Sequence, residues 1–287
     1  MLIVDAPPRP PRSDDPEALF EEARRHRRLR WTKLAAAAAA LIAAGAGAYA
    51  VFGAGTEQPS TVQVFKDGVL TSVPNQTVVL VVDVSGSMRA TDVQPTRLDA
   101  TVAATKTLLA RLPKRFAVGL VSFSSTPKVV QVPTLDRRLV VHALGSLVPE
   151  AGTGLGDGLE AAVKLTVASL AKDGIRRAPG HELPAVLVLE SDGAQNRGVI
   201  KPLAAARAAK AAGLRVDGIA LGTRDGVVKF GGTGIGHGVV LQTTVPVPPD
   251  PKTVAQIAQV TGGETFEAPT AARLQAIYSR LASTISH

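Results

Sequence analysis

From Thr77 to Asp83 the chain reads Thr-Val-Val-Leu-Val-Val-Asp, an unbroken apolar run ending on a carboxylate. A strand with one wet face alternates apolar and polar residues; a run like this one must be covered on both faces. Phe116 to Phe123 and Pro184 to Glu190 are similar runs, Leu214 to Leu221 reads as a further strand interrupted by Arg215 and Asp217, and segments of helical periodicity alternate with them. Helices are expected over about 95–112, 135–147, 154–170, 200–212, 252–260 and 270–284, with short strands near 128–132 and 264–267. Strands that alternate with helices of this length form βαβ units. The expected fold class is therefore α/β: a doubly wound, mostly parallel sheet with helices on both faces, spanning residues 76–287. Aromatics make up only 3% of the chain, so its core must be aliphatic. There is no cysteine, which excludes disulfides, zinc-thiolate sites and cysteine nucleophiles.

Ahead of this domain, Leu34 to Phe52 carries no charge and is mostly alanine. As a helix it would be about 28 Å long, just enough for a hydrocarbon core of about 30 Å. Arg24, Arg25, Arg27, Arg28, Arg30 and Lys33, with Trp31, lie on one side and Glu57 on the other. By the positive-inside rule residues 1–33 stay cytoplasmic, 34–53 form a single transmembrane helix, and the rest is extracytoplasmic at the cell membrane. The tail 1–33 combines a proline-rich start (Pro7, Pro8, Pro10, Pro11) with a basic juxtamembrane helix. Residues 54–75 read as a linker with room for a small hairpin around Lys66-Asp67-Gly68. An alternative for the apolar segment is a signal peptide cleaved near Ala46-Gly47-Ala48. The net charge of +8 resides mainly in the arginine block, which favours a membrane surface over nucleic acid as its partner.

In doubly wound sheets, ligands bind outside the carboxyl ends of the strands, at the topological switch point. Three loops place oxygen side chains there. The first strand ends in Asp83-Val84-Ser85-Gly86-Ser87, the strand from Pro184 ends in Ser191-Asp192-Gly193, and Gly152-Thr153-Gly154 precedes a helix. Two carboxylates, Asp83 and Asp192, and three hydroxyls, Ser85, Ser87 and Thr153, make an oxygen-only set suited to a hard cation. Neutral hydroxyls would leave such an ion electron-poor and ready for an incoming carboxylate. The structural alternative is a capped turn without metal.

Asp83-x-Ser85-x-Ser87, Thr153 and Asp192 resemble the metal-ion-dependent adhesion site of von Willebrand factor A domains, in order and in spacing. The stretches Ser87 to Leu98, Gly119 to Phe123, Gly156 to Leu159 and Ala258 to Gly263, with Tyr278, are similar to bacterial membrane proteins of the aerotolerance (Bat) type. The resemblance covers about residues 76–285. It implies that Ser85 and Ser87 bind Mg2+ (or Mn2+ or Ca2+) directly. Thr153, Asp83 and Asp192 would act directly or through water. It also implies a protein partner at the cell envelope that supplies a Glu or Asp to the metal, a MoxR-type AAA+ ATPase as a candidate associate, and no enzymatic activity. A scaffold with an idle metal site is one alternative. A metal-dependent phosphohydrolase is another, although Ser85 stands where a second acid would be needed.

Two departures stand out. Glu190 occupies a position where a neutral residue is usual; it either adds negative charge near the metal or pairs with a base. The stretch Gly222 to Pro249 is long and glycine-rich and should differ from compact A domains. Asp92, Asp99 and Asp157 read as capping or supporting groups, with Asp92 the best placed of the three for a rim contact. The histidines show no metal-ligand spacing. Gly156-x-Gly158-x-x-Ala161 fits a loose dinucleotide fingerprint, but no strong strand precedes it.

Overall fold

The computed structural model describes residues 61–66, 69–74, 76–177, 181–231 and 242–286. Two antiparallel strands, β1 (Thr61–Lys66) and β2 (Val69–Pro74), pair with each other, so the expected linker holds a hairpin. The expected transmembrane segment, 34–53, lies outside the described residues. Among the described residues no helix is long and apolar enough to cross a membrane.

The strands of the main sheet are β3 (Thr77–Asp83), β4 (Ala117–Phe123), β5 (Pro127–Thr134), β6 (Ala185–Ser191), β7 (Arg215–Leu221) and β10 (Thr265–Ala268). They lie side by side in the order β10-β7-β6-β3-β4-β5. Every pair is parallel except β4 with β5 at the edge. The expected mostly parallel α/β sheet is therefore present. The chain winds from β3 outward through β4 and β5, then returns to lay β6 on the other side of β3. The carboxyl end of β3 is thus the switch point of the sheet.

Alternation along the strands builds two apolar layers. Val78, Leu80 and Val82 of β3, with Val186 and Val188 of β6, meet α1 (Arg97–Arg111), α2 (Arg137–Gly145) and α6 (Ala271–Ser286). Val79, Val81, Leu187 and Leu189 point the other way, against α3 (Leu155–Lys172), α4 (Pro202–Ala211) and α5 (Pro251–Thr261). All seven residues of β3 are buried, as its unbroken apolar run requires. The open edge of β5 carries Pro127 and Pro133, which withhold N–H donors from a neighbouring strand.

Two local differences from the sequence-based expectation matter for the site. Helix α1 starts at Arg97, not near Pro95, because Thr96 is its cap: the Asp99 amide donates to the Thr96 hydroxyl, which donates in turn to the Asp99 carboxylate. Arg97 is therefore the first helical residue and faces the switch point. The stretch after β7, expected as a long loop, contains an antiparallel pair, β8 (Val227–Gly231) and β9 (Gln242–Pro246).

Candidate metal centre

The end of β3 runs directly into the site. Asp83 is fully buried on the strand's last position, and Val84 and Ser85 continue into a 3-10 turn over Gly86–Arg89. The turn folds the alternating Asp-x-Ser-x-Ser back on itself. The Ser85 amide donates to Asp83 Oδ1 at 2.8 Å, and the Ser85 and Ser87 hydroxyls meet at 2.9 Å. Ser191, the last residue of β6, donates its hydroxyl to Asp83 Oδ2 at 2.6 Å. Both oxygens of Asp83 are thus engaged by the protein.

Asp192 follows on the next residue and is almost fully buried. The Ser87 hydroxyl lies close enough to favour its charged form, and the Ala194 amide donates to Oδ1 at 3.3 Å. Thr153 precedes α3 and is held from the same loop that carries Asp192. Its amide donates to Asn196 Oδ1 at 3.0 Å, and its carbonyl accepts from the amides of Asn196 and Arg197. Ser87, Thr153 and Asp192 line one cleft of about 450 Å³. Three loops far apart in sequence therefore converge at one rim of the sheet, and all five expected residues lie there.

Charge decides what this rim can accept. Arg97 is completely buried and bridges three groups. It donates to Asp92 through Nε at 2.9 Å and Nη2 at 2.7 Å, to Asp192 Oδ2 through Nη1 at 3.2 Å, and to the Val247 carbonyl through Nη2 at 3.0 Å. Among the described residues no cation pairs with Asp83. Asp92 and Asp192 thus share one guanidinium and Asp83 has none, a formal excess of two negative charges over the three carboxylates. Burial, and then the charge of Asp192, push the Asp83 carboxyl well above its usual range. Asp192 is also raised, chiefly by burial, with Ser87 and Arg97 pulling the other way. A divalent cation would remove this penalty, so the donor set fits such an ion in both chemistry and charge. Among the described residues no three His, Asp or Glu side chains are placed to hold a metal ion between them, so a cation here would depend on the hydroxyls.

The neighbouring acids take other parts. Asp92 is not a rim contact. It turns inward, accepting from Arg97 and from the Thr223 amide at 2.7 Å, and these partners hold its carboxyl below the usual range against the effect of burial. Asp99 caps α1, as expected. Asp157 also supports the framework, accepting from the amides of Val199 and Ile200. Glu190 neither pairs with a base nor joins the metal rim. It lies on the opposite face of β6, with Val186 and Val188, beneath the hydroxyls of Thr101, Thr105 and Tyr278. None of these closes to a well-formed hydrogen bond with either carboxylate oxygen, and burial raises Glu190 to about 8.

Sequence reasoning missed Arg97, Asn196 and Ser191. Arg97 sat in a recognised stretch, but only the capped start of α1 shows which way it points. The close approach of two glycines was a further signal. A Cβ on Gly226 would lie 2.2 Å from Arg97 Nη2, and one on Gly222, where φ is +107°, would lie 2.4 Å from it. The glycine-rich stretch after β7 thus makes room for a buried guanidinium.

A parallel sheet with an oxygen-lined rim at its switch point defines a class, and sequence comparison supplies the family. Residues 78–195 match the von Willebrand factor type A domain, and the chain carries such a domain. It is related to the UPF0353 proteins. It is 37% identical over 218 residues to the one from Mycolicibacterium paratuberculosis, covering 73% of this chain and 60% of that protein. It is 36% identical over 220 residues to the one from Nocardia farcinica, covering 74% and 63%. The chain thus spans about 60% of the length of these relatives. Among solved structures, BatB from Bacteroides thetaiotaomicron superposes with a TM-score of 0.57 at 20% identity, covering 74% of this chain and 98% of that one. An aerotolerance-related membrane protein from Bacteroides fragilis gives 0.58 at 19% identity, covering 73% and 98%. At these identities the likeness is one of fold.

Proposed function

We propose that residues 76–287 form a cation-dependent binding module, in which Mg2+ held by Ser85, Ser87, Thr153, Asp83 and Asp192 grips a Glu or Asp of a partner protein. The observation that carries this reading is the convergence of five oxygen side chains on a rim with a formal excess of two negative charges. Mn2+ or Ca2+ could take the same place. Because both oxygens of Asp83 are already bonded, it acts through bound water and shapes the site. The same engagement disfavours Asp83 as a nucleophile, so the module binds and does not catalyse.

The apolar run 34–53 anchors the module by one helix, with residues 1–33 in the cytoplasm and the domain on the outer side of the cell membrane. The name of the Bacteroides fragilis relative in fold, an aerotolerance-related membrane protein, agrees with a membrane location. A MoxR-type ATPase in the cytoplasm would reach only the tail 1–33. The test is affinity capture of envelope proteins on the full chain in detergent. Capture is expected in Mg2+ and absent in chelator or with Asp83→Ala, while the circular dichroism of that variant stays native. Capture that persists in chelator rejects the proposal.

A further inference from the structure

The cleft beside the metal-ligand residues has a lining of two kinds. Part of its lining is Ser87, Thr153, Asp192 and Asn196; another part is Val228, Val245, Pro246, Val247 and Pro248, from β8, β9 and the residues that follow β9. A hydrated Mg2+ and one carboxylate need only the first part. At about 450 Å³ the cleft is in the range of small-ligand sites, well beyond what an ion requires. Val245 is 39% exposed there, an aliphatic side chain left open next to a charged rim.

The apolar wall is held in place. The Val247 carbonyl accepts from Arg97, and its amide donates to the Gly226 carbonyl at 2.8 Å. Arg97 in turn grips Asp192, so the same side chain positions a predicted ligand and the apolar wall. A wall fixed in this way binds without first having to be ordered.

We infer that this cleft is a second recognition subsite, which takes an aliphatic side chain adjacent to the metal-bound carboxylate of the partner. The inference rests on the function proposed above. The partner segment is then an acidic residue beside Leu, Ile or Val: the carboxylate completes the shell of the cation while the neighbour lies against Val228, Val245 and Val247.

The experiment uses the full chain in nanodiscs and three labelled peptides, read by fluorescence polarisation. One has Glu flanked by Leu, one has Glu flanked by Ser, and one has Gln flanked by Leu. In Mg2+ the Glu–Leu peptide is expected to bind about tenfold tighter than the Glu–Ser peptide, as burial of most of a Leu side chain implies. The Gln–Leu peptide should not bind. Val245→Asp should erase the preference for Leu, and the milder Val245→Ser should reduce it. Val199→Asp, an exposed change outside the cleft lining, should keep it. Equal, Mg2+-dependent binding of the two Glu peptides overturns the subsite and leaves the cation-dependent grip standing. Binding of the Gln–Leu peptide as tight as that of Glu–Leu, or no Mg2+-dependent binding of any peptide, overturns both.

Discussion

Replacing Glu190 by Gln should make the domain more stable in alkali and less sensitive to pH. The side chain is fully buried, neither oxygen has a well-formed hydrogen bond, and its pKa is raised from 4.5 to about 8 by burial. With the folded value above the unfolded one, the folded chain keeps a proton that the unfolded chain has released. The stabilisation is therefore complete below about 4.5 and is lost as pH rises through about 8. At about 1.4 kcal/mol per pH unit the loss is on the order of 5 kcal/mol, a large part of the roughly 5–15 kcal/mol that holds a domain together. Gln cannot ionise but buries an amide with few partners, at about 1–3 kcal/mol. The two stability curves should therefore cross: Glu190→Gln is the weaker protein near pH 5 and the stronger by a few kcal/mol near pH 9. Urea unfolding followed by circular dichroism from pH 5 to 9 measures this, in saturating Mg2+ so that Asp83 and Asp192 do not contribute. Parallel curves for the two proteins would refute the reasoning.

Further outcomes follow from the charges around the switch point. Arg97→Met removes the guanidinium shared by Asp92 and Asp192, and should lower stability by about 3–5 kcal/mol, seen as a fall in Tm that added Mg2+ partly reverses. The raised carboxyls of Asp83 and Asp192 must lose their protons to receive a cation. Mg2+ affinity should therefore climb from pH 5 to pH 8, with proton release visible as a buffer-dependent heat in calorimetry. In chelator the same two groups make the folded state favour protons, so the metal-free protein should melt at a higher temperature at pH 5 than at pH 8.

Much of the architecture was legible because its signals are local. The unbroken run Thr77 to Asp83 could only be a strand covered twice, and it became the fully buried β3. Its neighbours followed by the same logic, and helix ends moved by only a few residues where a cap such as Thr96 decided the boundary. The strands β8 and β9 were not legible: they are short, lie in a glycine-rich stretch, and carry exposed polar residues such as Thr243 and Thr244. Four of the candidate ligands were legible as residue types at or just past strand ends, where the switch-point rule looks for them, and Thr153 as a hydroxyl in the loop before a helix. The role of Arg97 was not, because it depends on where α1 begins and on glycines 125 or more positions away in sequence that leave space for it. Glu190 shows the limit of parity arguments. Asp192 lies just past the end of β6, so a spacing of two does not put both carboxyls on one face, and Glu190 points into the α1 and α6 layer.

The proposed function requires hydroxyls and carboxylates from three loops to hold one divalent cation jointly. Calorimetric titration of Mg2+ into the full chain tests it most directly, with the double variant Ser85→Ala, Ser87→Ala alongside. A single site is expected in the natural protein and no binding heat in the variant, whose Tm in chelator stays close to that of the parent. A natural protein that takes up no Mg2+, or a double variant that binds it with undiminished affinity, would contradict this.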